Sequence, residues 1–482
     1  MPQFRDPNEK RDFMLNTPIP RLVPKMALPS IAGMLVTSAY NLADTLFVSQ
    51  LGTDATGAVG VNGSIDLIIM MAGSLLAVGA ASLTSRLLGA KQDERAREVL
   101  STCFFLALAL GTLVLILGFT YQNKILLLLG ANEEILPYSE QYCRYILLAA
   151  PFMATSFVLN QCLRAEGSAV FSMIGMVAGA VLNVGLDLLF IIVFLWGVAG
   201  AAAATVSAQL ISTVGCFVYA FTKYPKIRPH AVDWKIDGRD VLLHMEQGIP
   251  LGLQFSVLAV GIIVMQSVVV KFDLLGGVMV SNAAQNGFGA ANKLHNLLMT
   301  PLSGLGSAMT SFTAQNMGAD RADRIKKGTL QALVMMVIIA GISVAAGLLL
   351  SINGTYLRIF LSADKITEET VIFGNHFLYI DLSLYVFLGF IFVMRNCVQG
   401  IGRPQFILGA GAAELVARVA ICLFLPAAFA GGEVSAAAPL SAYHALCFAD
   451  PAAWIAADLV LSVPFLRNIM EMDYAYFYRT RR

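Results

Sequence analysis

Two aspartates, and the neutral oxygens spaced around them, are the residues of this 482-residue chain best placed to do chemistry. Asp44 lies in TSAYNLADTLFV (37–48), inside an apolar run from about Met26 to Val48 that is long enough to cross a bilayer. Thr37, Asn41 and Asp44 follow at steps of four and three, and Tyr40 stands four before Asp44, so they share one side of a helix. A carboxylate near the centre of a spanning helix costs roughly 2.5–3.5 kcal/mol on insertion scales, so that side must face protein or a watery cavity. Partners stand further along: Asn183 and Asp187, and again Thr205 and Gln209, are i, i+4 pairs within apolar runs of the same half. Facing one another, these groups form an oxygen-rich pocket, hard enough for Na⁺ and suited to holding a proton. Two carboxylates close together in a poor dielectric cannot both ionise comfortably, which suits the pair to exchanging a cation. Thr205 or Gln209 taken singly reads equally well as a hydrogen-bonding tie between helices. A pair of buried aspartates reads better as a coupling site.

The elements that position these residues are spanning helices. Of all residues 57% are hydrophobic and only 13% charged, against roughly 25% charged in soluble chains. Twelve apolar segments are expected to span, at roughly 22–48, 57–83, 99–120, 142–163, 170–194, 198–222, 247–270, 284–309, 328–351, 376–399, 404–429 and 451–469. The fold class is therefore all-α and polytopic, with twelve transmembrane helices. The polar start of the chain has no apolar stretch of the signal-peptide kind. Arg86, Lys91, Arg95 and Arg97 follow the second span, Lys223, Lys226 and Arg228 the sixth, and Arg321, Arg324, Lys326 and Lys327 the eighth, while the alternate links hold few cations. That bias places the chain in the cell membrane with both termini cytoplasmic. The seven cysteines show no metal-ligand spacing and sit mostly in apolar runs, where cysteine acts as a small hydrophobe. A net charge of +1 gives no ground for a nucleic-acid partner. No P-loop, zinc-protease or nucleophile-elbow motif occurs, so neither an ATPase nor a hydrolase is expected.

The chain repeats itself. SLTSRLLGAKQDERAREV (82–99) resembles SFTAQNMGADRADRIKKG (311–328), each leaving a span for a basic link. NQCLRAEGS (160–168) matches RNCVQGIGR (395–403) at an offset of 235, pairing Cys162 with Cys397 and Gly167 with Gly402; the same offset pairs Asn183 with Arg418. Two halves of six spans each insert with the same orientation, an arrangement of transporters whose substrate path lies between the halves. The expected organisation is a six-helix lobe with the cation site at 1–222, a cytoplasmic linker at 223–246 and a second six-helix lobe at 247–482. Gly175 and Gly179 form a GxxxG that signals close packing, and Pro29, Pro151, Pro250 and Pro301 should bend their helices.

The second half carries its own polar residues. Glu414 and Arg418 are i, i+4 on the eleventh span, Arg395 ends the tenth, and the eighth holds Lys293 and the polar run 282–292 that includes Gln285. An ion-pair network is the plainer reading. The functional one makes Gln285, Lys293, Asp381, Arg395, Glu414 and Arg418, with Tyr40, Asn41, Asn160 and Gln209 of the first half, candidates for lining or supporting a substrate cavity.

Taken together, AYNLADTLFVSQLG in the first span, the repeated S-x-T segments, RAEGS after the fourth span, GIGRP after the tenth and PAAW at the twelfth resemble the multidrug and toxic compound extrusion (MATE) family, and within it the DinF-like branch. The resemblance covers essentially the whole chain. It implies twelve helices in two pseudo-symmetric six-helix bundles around a V-shaped cavity, and export of small amphipathic or cationic organic compounds coupled to H⁺ or Na⁺. It implies no cofactor beyond that ion, no enzyme activity, membrane lipids as surroundings and a monomer. The branch's cation site maps onto Asp44, Asn183, Asp187 and Thr205, which are also the metal ligands if Na⁺ couples. Another branch binds its cation through acidic residues on the seventh and tenth spans. Here the seventh offers Gln254 and Gln266 and no internal carboxylate, although Asp381 remains on the tenth, and that departure argues against a second-lobe site. The alternative is a flippase of lipid-linked oligosaccharides or other amphiphiles from the same superfamily, a reading disfavoured by the few buried cations.

Overall fold

In a bilayer every backbone polar group must be satisfied within the protein, and long apolar α-helices do this segment by segment. The computed structural model, which describes residues 7–49, 51–129, 131, 133–223 and 238–471, is built that way. The expected linker at 223–246 and both chain ends fall largely outside the described residues. In chain order the helices are α1 (Pro7–Asn16), α2 (Ile19–Ser49), α3 (Thr53–Gly89), α4 (Asp93–Leu128), α5 (Leu136–Ala165), α6 (Ala169–Asp187), α7 (Gly197–Lys223) and α8 (Gly238–Lys271). A hairpin of β1 (Leu274–Leu275) and β2 (Val278–Met279) follows, antiparallel, with Leu274 opposite Met279. Then come α9 (Ala283–Gly318), α10 (Ala322–Ser351), α11 (Leu357–Phe360), α12 (Glu368–Ser383), α13 (Tyr385–Gly400), α14 (Gln405–Ala430), α15 (Leu440–Cys447) and α16 (Ala449–Phe465).

Among the described residues ten helical segments are long and apolar enough to cross a membrane, and eleven if the bent pair α12–α13 counts as one span. The twelve expected spans differ at two places. The eighth lies within α9, which at 36 residues is long enough but carries Asn286, Asn292, Lys293, His295 and Asn296, so hydropathy alone does not mark it. The tenth is broken by 53° at Leu384, whose backbone leaves the helical region (φ −113°, ψ 17°) without any proline there. The residues flanking the break, Asp381 and Tyr385, both reach His295.

The chain forms two compact units. The first comprises Met1–Gly252, Thr310–Arg321 and Gly400–Gly402; the second comprises Leu253–Met309, Ala322–Gln399 and Arg403–Arg482. In the first, α5 packs on α3, α4 and α7, while α6 packs on α2 and α7. The GxxxG acts there as its spacing suggests: a Cβ on Gly175 would stand 2.8 Å from Cys216 Sγ, and Ser212 Oγ donates to the Gly175 carbonyl at 2.9 Å. In the second unit α14 packs on α15 and α16, and α12 on α10 and α15.

The sequence repeat is matched in local geometry. After α3, backbone N–H groups of Ala90, Lys91 and Gln92 donate to the carbonyls of Arg86, Leu88 and Leu87; after α9, those of Ala319, Asp320 and Arg321 donate to Gln315, Met317 and Asn316. Lys91 (φ 64°) and Asp320 (φ 56°) take the same left-handed conformation, as do Gly167 (φ 95°) and Gly402 (φ 80°) of the other repeat. Within the first unit the two copies also meet reciprocally. A Cβ on Gly89 would collide with the Gln315 carbonyl oxygen, and one on Gly318 with the carbonyl oxygen of Arg86, the residue matching Gln315. Alanine at either glycine must push two backbones apart. Gly89→Ala and Gly318→Ala are each expected to cost about 3 kcal/mol, the upper end for overpacking, and by similar amounts, read as a lowered unfolding midpoint of the purified protein. Gly341→Ala, with open space around it, should shift the midpoint little. A tolerated Gly318→Ala would show the crossing to be loose.

Candidate functional site

Within the first unit α2, α3, α5, α6 and α7 enclose a cavity of about 530 Å³. The helical spacing of α2 brings Thr37, Tyr40, Asn41 and Asp44 to its wall; α3 adds Asp66, α5 adds Asn160 and Arg164, α6 adds Asn183, and α7 adds Thr205 and Gln209. Apolar wall is supplied by Ile69, Met70, Met153, Phe157 and Met176 among others. Asp187 stands behind this lining, fully buried, as the last residue of α6, where the helix passes into a π-helical turn at Leu188–Val193. Such turns recur at functional sites because they re-aim side chains without ending the helix.

The polar groups touch in a definite order. Asn183 Nδ2 donates to Thr205 Oγ1 at 3.3 Å, and Tyr40 and Gln209 stand near one another on the wall. The carboxyls of Asp44 and Asp187 are close enough to act on one another, and Asp66 is within electrostatic reach of Asp44. Two ionised carboxylates hold only acceptors, so neither can satisfy the other without a proton or a cation between them. Among the described residues no donor reaches Asp44 Oδ1, Asp66 Oδ1, Asn183 Oδ1 or either oxygen of Asp187. Nor is any cationic side chain among the groups that act on the three aspartates. Five buried acceptor atoms without donors, on residues that carry three carboxyl groups without a counter-charge, make a site that calls for a proton or a small hard cation. No group of three or more His, Cys, Asp or Glu arranged to hold a metal ion occurs among the described residues; a Na⁺ bound here would draw on carboxylates together with the neutral oxygens of Asn183 and Thr205.

Asp66 lies on the second expected span and is a site residue that the sequence reading leaves out. Its signal is the spacing: Asn62 and Asp66 repeat the i, i+4 Asn–Asp pattern of Asn183 and Asp187. Asn62 itself is tied to structure, its Nδ2 donating to the Ala58 carbonyl at 2.9 Å and the Ser139 carbonyl at 3.1 Å. Arg164, in the RAEGS stretch, is the other charged residue of the cavity lining that the sequence reading leaves out.

The remaining candidates lie in the second unit and fall into separate groups. Gln285 is half-buried at the start of α9, beside the hairpin, with Nε2 3.6 Å from Met279 Sδ; its backbone N–H is held by Asp273 Oδ2 at 2.9 Å. Lys293 is exposed. Neither lines the cavity. Asp381 is fully buried, and its Oδ2 meets His295 Nδ1 at 2.5 Å, with the His295 ring stacked on Trp454. Arg395, Glu414 and Arg418 form one network around a buried carboxylate: Glu414 accepts from Arg395 at 3.0 Å and from Arg418 at 3.4 Å, and Arg418 Nε donates to Asp450 at 2.7 Å. With its amide turned so that the oxygen faces the guanidinium, Gln254 also accepts from Arg395.

The MatE family model matches residues 29–189 and 261–424. A protein named FAD transporter from Shewanella oneidensis is 28% identical over 340 residues, covering 68% of this chain and 72% of its own length. The multidrug export protein MepA of Staphylococcus saprophyticus is 27% identical over 315 residues, covering 65% and 67%. Among solved structures, one described as the outward-facing conformation of a multidrug resistance MATE family transporter of the MOP superfamily superposes with a TM-score of 0.82 at 22% identity, over 95% of this chain and 98% of that one. A MOP superfamily transporter from Pyrococcus furiosus, described by a binding pocket of reverse polarity, gives the same TM-score and identity over 96% and 98%.

Proposed function

Since the chain belongs to the MATE family, whose members are multi-pass membrane transporters and not enzymes, we propose that it exports small amphipathic or cationic organic compounds by alternating access, as an antiporter driven by H⁺ or Na⁺. The observation that carries this reading is the set of unpaired acceptor oxygens on Asp44, Asp66, Asn183 and Asp187. A cation arriving from outside binds there, joins α2 to α6 and α7, and changes how these helices pack; cargo then leaves outward. The names of relatives that export drugs or carry FAD support a small organic cargo. The proposed organisation is a cation-binding lobe at 1–222 and a second lobe at 247–482, in one monomeric chain of the cell membrane with both ends inside. The energetics suffice: one charge moving down 100 mV releases about 2.3 kcal/mol, more than the roughly 1.4 kcal/mol of a tenfold gradient. A flippase of lipid-linked oligosaccharides would suit a basic cavity better than one walled by aspartates.

The test is efflux of a panel of fluorescent organic cations from proteoliposomes under separately imposed pH and Na⁺ gradients. The expected result is uphill movement driven by one or both gradients and abolished when they are collapsed. Equilibration at the same rate whatever the gradient would overturn the reading.

A further inference from the structure

The cavity has a second end. Arg164 lines it and is 7% exposed, yet its hydrogen-bond partners are all neutral: Gln161 Oε1 at 3.3 Å from Nε, and Ser172 Oγ at 3.5 Å and Met176 Sδ at 3.7 Å from the same terminal nitrogen. Among the described residues the titratable groups acting on it are the thiols of Cys162 and Cys216, with no carboxylate. Glu166, two positions along, is about 200° around the helix and acts on Cys162 instead. Behind the guanidinium, Ser172 donates to Asn160 Oδ1 at 3.1 Å, and Asn160 Nδ2 donates to the Ser156 carbonyl at 3.0 Å, so the surrounding groups are held by one another.

A guanidinium is charged at any relevant pH and carries five donors in a planar fork that matches carboxylate and phosphate. Withdrawn from water without a counter-charge it is costly, and an anion brought into the cavity would remove that cost. The two ends are well separated. Met176, which touches Arg164, and Asn183, which touches Thr205, stand seven residues apart on α6, or about 10 Å. The cavity is thus dipolar, cationic at Arg164 and anionic at the aspartates, with methionine and phenylalanine between.

We propose that Arg164 seats the anionic group, carboxylate or phosphate, of an amphiphilic solute whose apolar body lies along Met70, Met153, Phe157 and Met176. This rests on the export reading and extends it, since the cargo then includes organic anions and zwitterions as well as cations.

The test uses the full chain in phosphatidylcholine nanodiscs, with fluorescence anisotropy of a rhodamine methyl ester and of its free acid, which differ only in the carboxylate. Arg164→Gln should weaken binding of the acid about tenfold, as expected for loss of a hydrogen bond to a charged group, and leave the ester within about twofold. Arg164→Lys should restore most of the acid's affinity. Ser172→Asp, which sets a carboxylate beside the guanidinium, should cancel the preference for acid over ester without removing the arginine, and it decides the matter if Arg164→Gln does not fold. Equal losses for acid and ester in these variants, or no change, would overturn the proposal. A parallel arm replaces part of the lipid by phosphatidylglycerol. If acid binding then weakens in the wild type but not in Arg164→Gln, a lipid phosphate takes the site; if it is unaffected, the source is the soluble amphiphile. No ion gradient enters these measurements, so their failure would leave the coupling reading standing, and a failure of coupling would leave them interpretable.

Discussion

Asparagine in place of both Asp44 and Asp187 should leave a protein that folds and inserts but cannot build a substrate gradient. The shapes hardly change, and the two amides can hydrogen-bond to each other, so the structural role of the contact survives. What is lost is negative charge. Asp44 and Asp187 face one another, and neither has a cationic neighbour among the groups acting on it. By linkage, a cation drives export only if it binds the two conformations with different affinity, and an uncharged pair gives it little to bind. Gradient-driven accumulation in the double variant should fall to that of protein-free vesicles. Each single replacement should do nearly as much, because the site works as a unit. Thr205→Ala, which removes a neutral hydroxyl that accepts from Asn183, should weaken coupling and leave it measurable. Asp66→Asn separates a two-carboxylate from a three-carboxylate site: a changed ion-to-substrate ratio with transport retained is expected if Asp66 shares the charge. A double variant that still builds a gradient collapsing with protonophore or Na⁺ removal would place the coupling site elsewhere, and Asp381 would be the next residue to change.

Much of this arrangement was legible in the sequence, for reasons that also mark where legibility stopped. Apolar length sets the helices, and i, i+4 spacing sets which side chains share a face, so Asn183 with Asp187 and Thr205 with Gln209 could be read directly. A buried charge demands company, so Asp44 pointed to partners before any were located. What spacing cannot supply is distance between helices. Asp66 carried the same Asn–Asp spacing but no sign of which cavity it would meet, and Asp450 lies 32 residues from the Arg418 it binds. His295, the partner of Asp381, is 86 residues away on a helix too polar for hydropathy to mark. The break at Leu384 lacks the proline that signals most kinks. The repeat was legible as sequence, yet its two copies carry different chemistry: the positions of Asn160 and Asn183 in the first are Arg395 and Arg418 in the second. One scaffold holds amides around a cavity in one half and a closed set of ion pairs in the other.

That closed set gives the other large expectation. Glu414→Gln should destabilise the protein strongly, because this buried carboxylate is shared by two arginines, the half-buried Arg395 at 3.0 Å and the buried Arg418 at 3.4 Å. The two arginines then fare differently. Arg418 keeps Asp450 at 2.7 Å, whereas Arg395 is left with Gln254 and the nearby carboxyl of Asp458. Breaking a buried pair by removing one partner typically costs about 3–5 kcal/mol, while replacing both partners with apolar residues of similar volume is often neutral. Arg395→Met together with Glu414→Met should therefore be more stable than either single replacement, and Asp450 should keep Arg418 neutralised in the double variant. Unfolding midpoints of the four proteins in detergent, read as a double-mutant cycle, measure this coupling directly. Additive losses would mean that Arg395 and Glu414 act independently. Unchanged midpoints with an altered substrate preference would instead make Glu414 a residue that touches cargo, and the second unit, like the first, would then be walled for binding.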